Sequence, residues 1–191
     1  IAREVEKNLD LFISSLALAL HNAVTHDQIQ KLAAVDPLTG VYNRRFGLTR
    51  LREEFSRSVK QNTTLGILMI DVDHFKDVND TYGHTVGDRV LQGIASSART
   101  QLREGDLLIR LGGDEFMVVL LGASGNDVLE VGEAIRRTVS ERTTSWGEQQ
   151  IKVTVSIGGA SLATANVKDE QDLIEAADKA LYQVKESGRN R

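Results

Sequence analysis

The sequence predicts an α+β fold: an α/β sandwich whose mixed central sheet carries helices on its faces, preceded by a long N-terminal helix. Three observations carry this. After the first helix, helix-period and strand-period segments follow one another as α, β, α, β-hairpin, α, β, α. The central pair, 107–121 (LLIRLGGDEFMVVLL), sets Gly112-Gly113 between two β-favouring runs, a hairpin signal that puts an antiparallel pair into the sheet. Residues 65–71 (LGILMID) form a nearly continuous apolar run closed by an acid, as a strand buried on both faces does.

Composition narrows the class. Of 191 residues, 41% are hydrophobic and 26% charged, enough for a domain with its own core plus an appendage. A net charge of −4 argues against a general nucleic-acid surface, which would be basic, but leaves room for a local basic pocket. The chain has no cysteine, which removes disulfides, thiolate metal sites and cysteine nucleophiles and fits a reducing, cytoplasmic setting. No apolar run approaches the roughly 20 residues that span a bilayer. The chain begins at Ile1 rather than Met, which reads as a piece of a longer protein in which an upstream membrane anchor is compatible.

Residues 1–35 read as a helical stalk. Val5, Leu9, Phe12, Leu16, Ala19 and Ala23 follow a 4-3-4-3-4 spacing, the a/d seam of a coiled coil. The seam falters at His26 and resumes at Ile29 and Leu32. A helix packed on its own domain is the alternative, and pairing with a second copy is the preferred reading. Asp36-Pro37, with the chain's only proline, ends this helix. Residues 36–191 then form the second domain.

A turn through Gly40 leads to a helix over 44–60 with Phe46, Leu48, Leu51 and Phe55 on its apolar side. The strand 65–71 follows, and then 71–80, a stretch dense in acids that reads as neither core nor casual loop. Residues 83–88 read as a glycine-rich turn before a helix over 89–102. After the hairpin come an amphipathic helix over 126–142 and a polar connection through Trp146. A half-buried strand over 151–157 is ended by Gly158-Gly159, and a last helix over 169–187 is stopped by Gly188.

Two acidic clusters close strands: Asp71 with Asp73, and Asp114-Glu115. If the first strand and the hairpin are neighbours, these carboxylates converge and suit a hard cation such as Mg²⁺. Turn or helix-cap acids are the alternative. Lys76, Lys185 and Arg189 supply counter-charge, the last two spaced to share a helical face. Their alternative is placement at a helix C-terminus. Arg103 and Asp106 precede the hairpin, and a surface ion pair is their plain explanation.

The residues from Asp36 to Arg189 resemble the GGDEF domain of diguanylate cyclases. Gly112-Gly113-Asp114-Glu115-Phe116 is that family's signature. Four further matches stand in order: Asp36-Pro37-Leu38-Thr39-Gly40 with Asn43-Arg44-Arg45; Asp71-x-Asp73-x-Phe75-Lys76-x-x-Asn79-Asp80 with Gly83-His84 and Gly87-Asp88; Val155-Ser156-Ile157-Gly158; and Ala177-Asp178 through Lys185 to Gly188-Arg189-Asn190.

The resemblance implies a fold related to nucleotide cyclases and polymerase palm domains. It implies a Mg²⁺- (or Mn²⁺-) dependent condensation of two GTP into cyclic di-GMP by a homodimer, under an upstream sensory domain. It implies that Asp71, the Val72 carbonyl, Asp114 and Glu115 hold the metal, and that Asp114 helps deprotonate the attacking hydroxyl. Asn79 and Asp88 would read guanine. Lys76, Lys185 and Arg189 would grip phosphates, with backbone N–H groups around 74–76 and with Phe75 and His84 nearby; His84 is equally well a turn histidine. Arg103-x-x-Asp106 has the spacing of the family's product-binding inhibitory site. Two other readings stay open: a catalytically inactive GGDEF domain that receives a nucleotide or cyclic di-GMP, and an enzyme of this fold with a mixed purine product, against which Asp88 argues.

Overall fold

The computed structural model describes residues 34–165 and 167–191, together with Phe12, Ser15 and Leu16. Val35–Arg191 forms one compact unit and Ile1–Ala34 another. Most of the stalk, including the falter at His26, lies outside the described residues. Two of its seam positions are described: Phe12 and Leu16 are helical and 66% and 52% exposed. Among the described residues, no helix is long and apolar enough to cross a membrane.

The larger unit runs β1 (Tyr42–Asn43), α1 (Arg44–Gln61), β2 (Leu65–Val72), α2 (Phe75–Tyr82), α3 (His84–Arg99), β3 (Leu107–Gly112), β4 (Glu115–Leu121), α4 (Gly125–Glu141), β5 (Thr144–Trp146), β6 (Gln149–Ile151), β7 (Val155–Ser161) and α5 (Glu170–Glu186). The main sheet has the order β1-β3-β4-β2-β7, and β5-β6 is a separate ribbon. Among the described residues only β1 and β3 pair in parallel; the other pairs are antiparallel, so the sheet is mixed, as expected.

The two-residue period of a strand sorts β2 between two cores. Leu65, Ile67 and Met69 face α1 and α5 with Leu51, Phe55, Leu173, Ala177 and Leu181. Leu68, Ile70 and Val72 face α3 and α4 with Val90, Leu91, Ile94, Val128 and Ile135. This explains the unbroken apolar run: both faces of β2 are covered. The same alternation puts Asp71 on the α1/α5 face.

Three expectations are corrected. The acid-rich stretch after β2 is helical from Phe75 to Tyr82. Its apolar residues Phe75, Val78 and Tyr82 are helically spaced, but they are only three, Val78 alone is fully buried, and the surrounding acids mask the pattern. The helix expected over 89–102 begins at His84 and ends at Arg99. Gly83, at φ 84°, makes the turn, and Val86 and Gly87 are already buried helical residues.

The strand expected over 151–157 is two elements. Ile151 closes the ribbon, and β7 runs through Gly158-Gly159 rather than stopping there. The reason is packing: a Cβ on Gly158 would lie 2.1 Å from the Leu181 nitrogen and 2.3 Å from the Ala177 oxygen, both in the α5 backbone. The glycine lets α5 lie directly on β7. Gly158→Ala is therefore expected to cost about 3 kcal/mol, because backbone rather than a movable side chain blocks the methyl. A urea unfolding curve within 1 kcal/mol of wild type would contradict this close approach.

Candidate active site

The pairing of β2 with β4 builds the site. Their antiparallel register sets Asp71 opposite Glu115, continuing Met69 opposite Met117 and Ile67 opposite Val119 on the same face. Partners in such a ladder have Cβ atoms about 5 Å apart. The Gly112-Gly113-Asp114 turn is held by backbone. The Val72 N–H donates to the Asp114 carbonyl at 3.3 Å, and the Arg110 guanidinium donates to the Gly113 carbonyl at 2.8 and 3.1 Å. Gly113 has φ 51°, and a Cβ on it would meet nothing within 4 Å, so the turn is bare on its outer side.

Lys185, on the last turn of α5, reaches Asp71 with Nζ–Oδ2 2.8 Å. Burial raises the Asp71 pKa; Lys185 pulls it back, and the nearby charges of Asp114 and Asp73 raise it again. An acid crowded by other acids and answered by one ammonium is a place that favours added positive charge. Among the described residues, no three ligating side chains close into a preformed metal cage. The donors present are hard oxygens on two adjoining strands. They fit a cation such as Mg²⁺, which takes one or two carboxylates and completes its shell with water and substrate phosphate.

Asn79 and Asp88 come from α2 and α3, joined at Gly83. Gly87 makes room: a Cβ there would lie 2.0 Å from Asn79 Oδ1 and 3.2 Å from the Phe75 ring. The structure thus folds the Asn79 amide and Phe75 against the residue preceding Asp88, whose side chain is exposed. Lys76 and His84 are exposed on the first turns of α2 and α3. His74 precedes α2 in the left-handed region at φ 57°, the left-then-right-handed sequence that forms an anion-binding nest.

Arg189 does not share a helical face with Lys185. The helix ends at Glu186, Gly188 turns at φ 111°, and the Arg189 N–H caps the Val184 carbonyl at 3.1 Å, a Schellman-type stop. Arg189 stands beyond the helix at φ 61° with its side chain exposed.

Arg103 and Asp106 lie at the other end of β3 from the turn, about 17 Å away by strand rise. Asp106 is tied to backbone: it accepts from the Arg103 N–H at 3.0 Å and the Leu121 N–H at 3.1 Å. Beside it is a surface pocket of about 420 Å³ lined by Val35, Tyr42, Arg99, Leu102, Arg103 and Asp106.

One participant had little signal in the sequence. Arg110 is a cation in an otherwise apolar strand two residues before the glycines. Its Nη1 also contacts Asp36 at 3.1 and 3.3 Å. Asp73, read in the sequence as part of the acidic cluster with Asp71, is instead buried and held by Thr154 and Ser156.

Comparison with known proteins decides the family. The profile "Diguanylate cyclase, GGDEF domain" matches residues 33–191. The chain belongs to the GGDEF family. It is 37% identical to Diguanylate cyclase A of Treponema denticola over 191 residues, 98% of this chain and 50% of that protein. It is 39% identical to the response regulator PleD of Caulobacter vibrioides over 167 residues, 86% of this chain and 36% of that one. The chain thus spans half or less of the length of these relatives. The crystal structure of the coiled coil and GGDEF domain of DgcB from Caulobacter crescentus in complex with c-di-GMP superposes with TM-score 0.79 at 29% identity, covering 96% of this chain and 97% of that one. Diguanylate cyclase SiaD from Pseudomonas aeruginosa, solved in complex with its activator SiaC, gives TM-score 0.78 at 35% identity, covering 99% of this chain and 77% of that one.

Proposed function

We propose that this GGDEF chain condenses two GTP into cyclic di-GMP with release of two pyrophosphates, each of two copies presenting one GTP to the other. The observation that carries this is the register setting Asp71 opposite Glu115, beside the bare turn of Asp114 and beneath Lys185. Asp71, the Val72 carbonyl, Asp114 and Glu115 would hold Mg²⁺ (or Mn²⁺), which when bound supplies positive charge to the phosphate oxygens and acidifies the attacking hydroxyl. Asp88 accepts from guanine N1–H and the 2-amino group, a donor pair that adenine lacks, and Asn79 reads the same base. Lys76, Lys185, Arg189 and the N–H groups of 74–76 take the phosphates, with Phe75 and His84 flanking. The 3′-oxygen of one GTP bonds to the α-phosphorus of the other as the bond to the β-phosphate breaks, and Asp114 assists removal of the hydroxyl proton. The reaction then repeats in the opposite sense.

Residues 1–35 serve as the stalk and 36–191 as the catalytic domain. The exposed seam residues Phe12 and Leu16 support pairing of two stalks, which raises the effective concentration of the two catalytic domains. In the full-length protein an upstream sensory domain would act through this stalk. The deciding test is incubation with Mg²⁺ and GTP, or ATP, at rising protein concentration. Cyclic di-GMP from GTP, with a rate per chain that falls on dilution, is expected. Its absence at high protein concentration would refute the reading and leave a receptor domain.

The 420 Å³ pocket at Arg103 is the proposed product site. Arginine offers bidentate contacts to phosphate and guanine. Arg103→Ala is expected to weaken inhibition by added cyclic di-GMP about tenfold or more while leaving the initial rate unchanged, because the site is remote from the turn. Unaltered inhibition would remove Arg103 from this role. Asp106 is a poorer probe, since its backbone bonds hold the start of β3 to the end of β4.

A further inference from the structure

The chemistry above gives no task to Asp73, although it is only 5% exposed. Burying a carboxylate is costly unless its lone pairs are engaged. Here they are: Ser156 Oγ donates to Oδ1 at 2.6 Å, and Thr154 Oγ1 (2.6 Å) and the Asn190 N–H (3.1 Å) both donate to Oδ2. The first two donors flank the start of β7. The third is 117 residues away, beyond the end of α5.

That third contact falls where the backbone needs holding. Arg189 and Asn190 sit at φ 61° and 48°, a left-handed pair that non-glycine residues adopt only when their surroundings enforce it. Three grips enforce it just after Arg189. Asp73 takes the Asn190 N–H. Arg136 Nη1 donates to Asn190 Oδ1 at 2.9 Å. The Ile157 N–H, on the open edge of β7, donates to the Arg191 carbonyl at 3.0 Å. On its other side Arg189 is fixed by its own N–H on Val184. Its backbone is clamped fore and aft while its side chain faces solvent. Asp73 follows Val72 and lies two residues after Asp71, so the strand end that offers oxygens to the metal also sets the distance to Arg189.

We infer that Asp73 is a positioning residue: by holding the Asn190 N–H it fixes Arg189 at a set distance from the Asp71–Val72 strand end, where the guanidinium meets the triphosphate. The inference rests on the reading that this site binds GTP. The test is titration of the 191-residue chain, with Mg²⁺, against the α,β-methylene analogue of GTP and against guanosine. Asp73→Ala is expected to weaken the analogue about tenfold, the worth of one misplaced charge-assisted contact, and to leave guanosine binding unchanged. In an Arg189→Ala background the same substitution should cost nothing more. Asn190→Pro removes the donor and, with its φ fixed at about −65°, the left-handed backbone as well, and should lose at least as much. Asn190→Gly keeps the N–H and tolerates positive φ, and should retain most of the affinity.

Equal losses for guanosine and the analogue would overturn the inference, as would losses that add to those of Arg189→Ala. If Asp73→Ala does not fold, the Asn190 pair decides alone, and equal affinity of those two variants overturns it. A wild-type chain that fails to bind the analogue sinks the GTP reading and the inference together. A wild type that binds it while the cycle is additive sinks only the inference.

Discussion

Asp114→Ala is expected to abolish cyclic di-GMP formation, by about a thousandfold or more, while the urea unfolding curve stays within about 1 kcal/mol of wild type. The separation follows from which atoms of Asp114 do what. Its carbonyl oxygen, which the substitution keeps, accepts the Val72 N–H and staples the turn to the end of β2. Arg110 holds the neighbouring Gly113 carbonyl, also backbone. The carboxylate contributes charge. It is one of the groups raising the Asp71 pKa, so removing it lets Asp71 ionise at lower pH and strengthens the pair with Lys185. The variant therefore keeps its fold and loses the carboxylate proposed to hold the metal and to assist the attacking hydroxyl. Near-wild-type turnover would refute the assignment, and an unfolded variant would refute the backbone-staple account of the turn.

The parts of this site that were legible in the sequence are those whose signal is local. β2 announces itself because both faces are buried, and the hairpin because two glycines divide two apolar runs. Together they fixed Asp71 and Asp114-Glu115 as strand-end acids. Their convergence needed only that β2 and β4 be neighbours, which the sheet provides.

What was missed depends on partners far along the chain. α2 is two turns long with only three helically spaced apolar residues, Phe75, Val78 and Tyr82, too short a stripe to stand out among its acids. Gly87 and Gly158 looked like turn signals, yet each is a small residue under a tight contact, from Asn79 and from the α5 backbone. No spacing rule distinguishes a glycine that bends the chain from one that admits a neighbour. The Arg110–Asp36 and Asp73–Ser156 contacts span 74 and 83 residues, so their meaning appears only once the sheet is assembled. Arg189 was placed on a helical face by continuing a period that Gly188 cuts.

Arg110→Leu is expected to lower stability by about 2–3 kcal/mol and to cut turnover more than any effect on folded protein concentration explains. One guanidinium, largely shielded, spans two places. Its Nη1 meets both oxygens of Asp36, and its Nε and Nη2 meet the Gly113 carbonyl in the turn between β3 and β4. Leucine preserves the stem's packing in β3 but leaves the partly buried Asp36 carboxylate with Thr39 and no cation, and the Gly113 carbonyl without its donor. Asp36 makes the loss pH-dependent. Burial alone would raise its pKa, but hydrogen bonds from the Thr39 hydroxyl and N–H, then Arg110, outweigh burial and hold it below 3.8. A depressed carboxylate contributes stability above its unfolded value that is lost as pH falls through the folded one. Removing Arg110 lets the Asp36 pKa climb. The gap between wild type and variant should thus be full at neutral pH and narrow as pH drops below about 4. A gap independent of pH would mean that the cost comes from the turn side alone. In that case the double variant Asp36→Asn/Arg110→Leu should be no more stable than the single one. If the ion pair matters as argued, the double variant recovers part of the stability lost, because it no longer carries an unpaired charge, but not the turnover, because the Gly113 carbonyl is still released.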